Sequence, residues 1–198
     1  MILTRAASAV QWAQTFIFPV LSAGGTVVDA TAGNGRDTLF LARGVGAQGK
    51  VYAFDIQPVA LERTARRLKS AGLDERVVLL PVGHEEMALH VPPPVEAVMF
   101  NLGYLPGGDH RVVTRPKTTV AALRAALGLL APGGRISVLI YTGHAGGDEE
   151  WRAVEEATSV LDPHGYTVFK MTYWNRPRGS PVLIFIAKAG AIDEDEAP

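Results

Sequence analysis

The feature that most restricts the fold is an alternation between short apolar runs and longer stretches with helical periodicity. The runs are apolar almost throughout, as expected for parallel strands covered by helices on both faces. The predicted strands are Thr26–Ala30, Lys50–Asp55, Arg76–Pro81, Glu96–Asn101 and Arg135–Tyr141. The predicted helices are Arg36–Ala42, Pro58–Ala71, Thr118–Leu130 and Asp148–Leu161. This order predicts a doubly wound α/β sheet.

The C-terminal part of the chain departs from the alternation. Two strand-like runs, Tyr166–Trp174 and Pro181–Lys188, are joined only by NRPRGS. That connection is too short for the crossover that parallel neighbours need, so the two runs must form an antiparallel hairpin. We therefore predict a mostly parallel seven-stranded sheet that is closed by a C-terminal hairpin.

Length and composition limit the possible functions. A chain of 198 residues, 47% of them hydrophobic, is long enough to bury a core, and we predict one domain over residues 1–190. The acidic tail, residues 191–198, has little to bury and is predicted to be disordered. The absence of cysteine excludes a thiolate nucleophile and a zinc–thiolate site, and we predict no metal site.

The charge and hydropathy patterns bear on location and partners. No apolar stretch reaches the ~18 residues of a membrane span, and the N-terminus lacks the charged start of a signal peptide. We therefore expect a cytoplasmic protein without membrane contact, with a packing helix at its N-terminus. Because the net charge is −1, any contact with nucleic acid must rest on a local basic patch.

The stretch TVVDATAGNGRD, residues 26–37, has the pattern of a ligand-binding turn. Asp29 ends the first strand, and Gly33 and Gly35 would let a ligand approach backbone N–H groups before the next helix. Asp55 ends the second strand, where an acid can accept hydrogen bonds from two ribose hydroxyls. The pattern predicts a nucleoside pocket at the carboxyl edge of the sheet. The alternative is a tight turn without a ligand, with Asp55 as a solvated strand end.

The details of the turn favour S-adenosylmethionine (SAM) over a dinucleotide. The spacing is D-x-x-x-G-x-G, and Asp37 stands close to the helix start, where it would repel a pyrophosphate but bond an ammonium group. DATAGNG resembles the first motif of class I SAM-dependent methyltransferases, with Thr31 in the place of a further glycine. The resemblance implies a seven-stranded methyltransferase fold, in which residues 29–35 (including Thr31 and Asn34) line the methionine moiety and Asp55 binds the ribose.

The loop after the third strand is expected to cover the adenine. Many relatives have an aspartate there, whereas this chain has VGHE at residues 82–85. His84 or Glu85, or the loop backbone, is the candidate contact, and Ile56 and Gln57 are expected to pack at the adenine edge. The alternative for His84 is a solvent-facing loop position.

The end of the fourth strand carries the candidate chemistry. NLGY, residues 101–104, resembles the N-P-P-Y motif of amino-group methyltransferases, although both prolines are absent. The side-chain oxygen of Asn101, beside the bound cofactor, would accept an N–H of the substrate amine, so that the lone pair of the amine faces the methyl group of the cofactor. Tyr104 would stack on a base. Asp109, His110 and His144 are candidates for removing the amine proton. The alternative is that Asn101 caps a turn and Tyr104 is packing.

A narrower resemblance rests on DATAGNGRDT, FNLGYLPGGDH, GHAGG and WNRPRGSPVL. Together these segments resemble the YtqB-type rRNA methylase family, the MnmM group of tRNA wobble-uridine methyltransferases. The resemblance implies methylation of the aminomethyl nitrogen of 5-aminomethyl-2-thiouridine in tRNA. Ala145 and residues 82–83 depart from the pattern of relatives. The alternatives are the same chemistry on rRNA or a small amine, and a non-catalytic nucleoside-binding module.

An RNA substrate such as a tRNA anticodon loop requires cations and aromatic surfaces. The candidates are Arg111, Arg115 and Lys117 around the fourth-strand loop, and Arg176 and Arg178 in the hairpin turn beside Trp174. For the hairpin pair, the alternative is loop charge that serves solubility. Arg63, Arg66, Arg67 and Lys69 are expected to form a solvated helix face. Apolar residues of the N-terminal segment would either bury a homodimer interface or cap the core: Trp12, Phe16 and Phe18.

Overall fold

The computed structural model describes residues 8–109, 111–143, 146–177 and 179–190. The strands are β1 (Thr26–Asp29), β2 (Lys50–Phe54), β3 (Val77–Leu80), β4 (Val95–Leu102), β5 (Leu130–Ile140), β6 (Tyr166–Met171) and β7 (Val182–Lys188). They form one sheet in the order β3-β2-β1-β4-β5-β7-β6. β1 to β5 pair in parallel, whereas β7 is antiparallel to both β5 and β6. The predicted sheet with its closing hairpin is therefore confirmed.

The helices are α1 (Ala9–Ile17), α2 (Arg36–Gly44), α3 (Pro58–Ala71), α4 (Met87–His90), α5 (Pro116–Leu129) and α6 (Gly147–Ser159). The start of α1 is fixed by a capping box between Ser8 and Gln11, which satisfies two free backbone N–H groups. α3 and α5 begin at prolines, since the fixed φ of proline suits the first helical turn. α5 therefore starts two residues before the predicted Thr118.

The larger differences from the sequence prediction are at three other places. β6 ends at Met171 rather than Trp174, because the chain turns before the hairpin connection. The segment of residues 84–90, a 3₁₀ turn followed by α4, had no periodicity long enough to predict. Residues 131–134 fall between the predicted helix Thr118–Leu130 and the predicted strand Arg135–Tyr141, but they lie within β5. They are near a register shift in the pairing of β4 with β5, between Val95 and Ala97.

The core has two layers, one on each face of the sheet. Successive residues of β1 show this, because Val28 packs in the cluster with α5 and α6, whereas Val27 packs in the cluster with α1, α2 and α3. Alternating side chains of a strand point to opposite faces, so both faces are buried as the apolar runs predicted. None of the helices in the described ranges has the length and apolarity needed to cross a bilayer.

The chain reverses its direction of winding between β1 and β4. The loops that follow these two strands diverge at the carboxyl edge of the sheet and leave a crevice there. Ligands of open α/β sheets bind at such a switch point. The fold thus brings together the ends of β1, β2, β3 and β4, which carry the residues singled out from the sequence.

Candidate active site

A cleft of about 770 Å³ opens at this switch point. Its first half, here called the turn half, is formed by the ends of β1, β2 and β3. It includes Thr31, Gly33, Asn34, Asp37, Asp55, Ile56, Gln57, His84 and Glu85. Its second half, the loop half, is formed by the segments after β4 and β5 and by the hairpin. It includes Asn101, Tyr104, Arg111, Arg115, Tyr141, Gly143 and Gly179.

The two glycines of the turn have different roles. Gly33 lines the cleft and has a φ of +52°, a conformation that glycine adopts without strain. Gly35 has a φ of +72° and does not line the cleft. A Cβ at Gly35 would lie 2.8 Å from Thr64 Oγ1 and 3.0 Å from Thr64 Cα. Gly35 therefore serves the close packing of α2 on α3, whereas Gly33 keeps the ligand side of the turn open.

Asp29 lies beneath the cleft, at 1% exposure, and is not among the lining residues. Its carboxylate accepts hydrogen bonds from Thr38 Oγ1 at 2.6 Å and from the Thr31 N–H at 3.1 Å. Burial, and secondarily the nearby Asp37, raises the pKa of Asp29 to about 7. Asp29 thus holds the turn to α2. The sequence predicts it among the residues that line the methionine moiety, whereas in the structure it acts on the cleft through Thr31 and Thr38.

Asp55 does line the cleft and organises its turn half. Its two carboxylate oxygens accept the N–H groups of Gly33 and Gln57, each at 2.9 Å. Burial raises the pKa of Asp55, against the lowering effect of these two hydrogen bonds. A carboxylate has about four acceptor positions, so two remain available for hydroxyl donors at the cleft surface.

His84 is buried, at 8% exposure, which removes the solvent-facing alternative. Its Nδ1 lies 3.1 Å from the carbonyl oxygen of Ala30. Burial lowers the pKa of His84, so the ring is neutral at pH 7 and Nδ1 is the protonated nitrogen that donates to this carbonyl. Nε2 is then an acceptor, and His84 lines the turn half.

Asn101 lies at the junction of the two halves. Its N–H donates to Thr31 Oγ1 at 2.8 Å, and its side-chain Nδ2 donates to Asp37 Oδ2 at 3.2 Å. Asp37 is buried in the first turn of α2, and burial raises its pKa. Because the amide nitrogen faces Asp37, the amide oxygen of Asn101 is turned away from that carboxylate.

The loop after β4 is closed on itself by polar contacts. Gly103 and Thr114 exchange hydrogen bonds of 3.0 Å, and Tyr104 pairs with Val113 in an antiparallel bridge. Thr114 Oγ1 also donates to the buried carboxylate of Glu150 at 2.7 Å. The loop that presents Tyr104 is therefore held from α6, a link that no motif in the sequence indicated.

Of the candidate proton acceptors, the structure describes only Asp109. Its carboxylate pairs with Arg111 at 2.8 Å on the surface, and it is not among the residues that line the cleft. His110 and His144 lie outside the described residues. Within the described ranges, no group of three or more His, Asp or Glu side chains is arranged to hold a metal ion.

The predicted RNA-binding cations are distributed around the mouth of the cleft. Arg111 and Arg115 line its loop half, whereas Lys117 is exposed on the first turn of α5 and does not line it. The Arg176 guanidinium lies 3.9 Å from the centroid of the Tyr173 ring, and the neighbouring Trp174 is 100% exposed. Arg178 lies outside the described residues.

Two arginines of α3 have a role that sequence analysis missed. Arg63 donates to Asn34 Oδ1, to the carbonyl of Pro106 and to the carbonyl of Gly107, at 3.2, 3.3 and 3.0 Å. Arg67 Nε donates to the carbonyl of Asn34 at 2.8 Å. The sequence predicts both on a solvated face. Arg67 is exposed as expected, whereas Arg63 is half-buried and links the turn to the loop after β4.

Gln14 of α1 was also missed as part of the site. Its Nε2 donates to Asp37 Oδ1 at 2.8 Å, across 23 positions of sequence. Val10 of the same helix lines the cleft. No motif includes these residues, and the amphipathic pattern of α1 indicated only a packing helix.

Comparisons with known proteins agree with this geometry. Residues 51–187 match the family model described as "Putative rRNA methylase". A chloroplastic tRNA (mnm5s2U34)-methyltransferase of Arabidopsis thaliana is 44% identical over 179 residues, which cover 85% of this chain. The chain spans only 65% of the length of that relative.

Two solved structures are similar over nearly the whole chain. A putative rRNA methylase of Clostridium thermocellum has a TM-score of 0.90 and 42% sequence identity. A putative methyltransferase of Streptococcus mutans in complex with SAH has a TM-score of 0.85 and 36% sequence identity. Each comparison covers 93% of this chain and 99% of the other.

Proposed function

Because the chain belongs to the family described as "Putative rRNA methylase", we propose that it is a SAM-dependent methyltransferase that acts on an amino nitrogen of RNA. The finer proposal is the aminomethyl nitrogen of 5-aminomethyl-2-thiouridine at the tRNA wobble position, which the similarity to the Arabidopsis relative supports. The observation that carries the proposal is Asn101, whose amide oxygen is turned away from Asp37 at the junction of the two halves of the cleft.

The residues of the turn half fit SAM by their chemistry. SAM carries an ammonium group, a sulfonium and two ribose hydroxyls, and the turn half offers the carboxylates of Asp37 and Asp55. We assign Asp55 to the ribose hydroxyls and Asp37 to the ammonium end. His84, Glu85, Ile56 and Gln57 are assigned to the adenine. The volume of about 770 Å³ is at the upper end of the range for small-molecule sites, which leaves the loop half for a nucleotide.

When bound, SAM supplies an electrophilic methyl group on its sulfonium. The residues of the chain must then present an amine with its lone pair free, because only the unprotonated amine is a nucleophile. We propose that the Asn101 oxygen accepts one N–H of the amine and that Tyr104 stacks against the base. Such a transfer needs proximity and in-line alignment more than strong acid–base catalysis. His110 and His144 remain the predicted proton acceptors.

RNA binding is assigned to the loop half and the hairpin. Since the net charge is −1, attraction to phosphates must come from local cations. Arg111, Arg115, Lys117, Arg176 and Arg178 are the proposed contacts. The fully exposed indole of Trp174 provides a surface on which an unpaired base of an anticodon loop can stack.

We infer a cytoplasmic location, as expected of an enzyme that uses SAM and tRNA. A homodimer through α1 also stays a prediction. Trp12 and Phe18 of that segment remain 43% and 64% exposed, whereas Phe16 is half-buried and packs edge-on against Phe169, which is itself 46% exposed.

The test is to identify the nucleoside that accepts a labelled methyl group. The protein is incubated with methyl-labelled SAM and tRNA that carries 5-aminomethyl-2-thiouridine, and the digested nucleosides are separated. We expect label in 5-methylaminomethyl-2-thiouridine. At limiting SAM we expect less label with Asp55→Ala, because the lost hydrogen bonds to the ribose should weaken SAM binding by about 1–3 kcal/mol. Label that enters only ribosomal RNA offered in parallel would move the substrate to rRNA and refute the tRNA proposal.

A further inference from the structure

The Asp37 carboxylate lies between α1 and β4 and is bonded from both. Oδ1 accepts from Gln14 Nε2 at 2.8 Å, and Oδ2 accepts from Asn101 Nδ2 at 3.2 Å. Asp37 is only 7% exposed. A buried carboxylate needs such donors. One of the two donors to Asp37 is Asn101, the residue that we propose orients the substrate amine.

An asparagine amide presents a donor at one end and an acceptor at the other, and rotation by about 180° exchanges them. The backbone of Asn101 is fixed, because its N–H donates to Thr31 Oγ1 at 2.8 Å. The remaining freedom is therefore the rotation of the amide. An ionised carboxylate only accepts hydrogen bonds, so Asp37 stabilises the orientation in which nitrogen faces Asp37 and oxygen faces away.

We propose that Asp37 is a positioning residue that presents the Asn101 oxygen to the substrate amine, and that α1 completes the active site by holding Asp37 through Gln14. This inference rests on the proposed amine methylation. It adds to the assignment of Asp37 to the SAM ammonium, because a carboxylate with two donors bound still has acceptor positions. Gln14 precedes the region that the family model matches, residues 51–187, so part of the site lies outside that region.

The fixed position of α1 supports this role. Ala13 and Ile17 are fully or almost fully buried on either side of Gln14. Both belong to the core cluster that includes Leu41 of α2 and Met99 of β4. Because α1 is buried in the same cluster as the elements that carry Asp37 and Asn101, the Gln14 amide reaches Asp37 from a packed helix.

The test uses single-turnover methylation of tRNA carrying 5-aminomethyl-2-thiouridine, with the protein saturated with SAM. Asp37→Ala should slow the methyl-transfer step by about tenfold to a hundredfold, the effect expected when a reacting group loses its alignment. Asp37→Asn should restore the rate to within about threefold of the parent, because its oxygen accepts from Asn101 and its nitrogen donates to a rotated Gln14 amide. SAM affinity, measured separately by calorimetry, reports any loss at the ammonium end.

A double-mutant cycle gives the decisive result. If Asp37 acts through Asn101, Asp37→Ala should cause no further loss in an Asn101→Ala background. Gln14→Ala should slow transfer by about threefold, since one of two donors to Asp37 is lost. Its neighbour Thr15, which bonds only within α1, is the matched control, and Thr15→Ala should leave the rate unchanged.

Two results would overturn the inference. The first is a double variant in which the rate losses of Asp37→Ala and Asn101→Ala multiply. The second is an Asp37→Asn variant as slow as Asp37→Ala. If Asp37→Ala does not fold, as judged by its thermal unfolding, Asp37→Asn and Gln14→Ala still decide the question. A parent protein that methylates no amine would refute the proposed function instead, which separates the two failures.

Discussion

Asp29, Asp37 and Asp55 belong to one short region of the fold but occupy different environments. Asp29 is buried under the turn and bonds Thr38 and Thr31, whereas Asp37 and Asp55 reach the cleft wall. A motif in the sequence shows all three as acids near a glycine turn, and it does not distinguish an acid that contacts a ligand from one that holds the loop. The distinction arises from packing, because Thr38 lies directly over Asp29 only once α2 has formed.

Asn101→Ala should lower the rate of methylation of the aminomethyl-thiouridine tRNA by roughly a hundredfold or more, because the amine loses the acceptor that orients it. SAM binding should survive, since Asp55 and Gly33 remain. The measurement is single turnover with SAM bound beforehand. Asn101→Asp should keep part of the rate, because its carboxylate accepts the same hydrogen bond while favouring the protonated amine. A parent-like rate in Asn101→Ala would show that the amine site is elsewhere.

Sequence reasoning found the residues of the site that lie in motifs and missed those that act across the fold. Asp55 directly follows β2, Asn101 lies near the end of β4, and Gly33 is in the turn after β1. Their place at the carboxyl edge could therefore be derived from the alternation. Gln14 and Arg63 contact the site from helix surfaces, 23 and 29 positions away from Asp37 and Asn34 respectively. Periodicity gives the face of a helix but not which partner a long polar side chain reaches.

At the scale of elements, α3 connects the two loops that border the cleft. Arg63 bonds the turn at Asn34 and the loop after β4 at Pro106 and Gly107. The elements themselves were predictable because their apolar periods and proline or glycine ends are local signals. The 3₁₀ turn and α4 were not predictable, because their seven residues, 84–90, are shorter than two helical periods.

Arg63→Ala should loosen both loops. It removes three hydrogen bonds to backbone or amide oxygens, and a net loss of about 1–2 kcal/mol is expected for such a partly exposed set. Amide hydrogen exchange in residues 103–109 should then be about tenfold faster. Arg66→Ala, an exposed neighbour on the same helix, is the matched control. Equal exchange in the two variants would contradict a linking role for Arg63.

The hairpin element carries the prediction on RNA. Arg176→Ala combined with Arg178→Ala should weaken tRNA binding and flatten the dependence of log K on log salt by about one to two charges. SAM affinity should not change. Arg66→Ala combined with Lys69→Ala removes the same charge from exposed positions of α3 and should leave the slope as it is. If both pairs change the slope equally, the effect is one of net charge and the hairpin is not a contact.

At the scale of the whole molecule, burial of acids links stability to pH. The pKa of Asp29 is raised from 3.8 to about 7, so between these values the folded chain holds a proton that the unfolded chain has released. Stability therefore falls as pH rises through this window. The pKa values of Asp37 and Asp55 are also raised by burial and act in the same sense. The lowered pKa of His84 acts in the opposite sense.

Asp29→Asn isolates this contribution. The amide keeps both hydrogen bonds, since its oxygen accepts the Thr31 N–H and its nitrogen donates to the Thr38 hydroxyl. Urea unfolding of the ligand-free parent and variant should show that the parent loses about 3 kcal/mol more than the variant between about pH 5 and pH 8. The comparison cancels the effect of His84. Stability curves that run parallel for the two proteins would contradict the raised pKa of Asp29.

The order of the strands also bears on how the protein is made. β7, which follows β6 in the chain, inserts between β5 and β6, so β6 has no partner in the sheet until β7 has left the ribosome. During synthesis, the open edge of β5 is then an unpaired strand with a buried, apolar composition, the kind of edge that recruits other chains. The nascent protein therefore depends for its solubility on completing its last strand. A nonsense mutation at residues 180–182 would yield an aggregating fragment even though the cleft residues up to Gly179 had been translated.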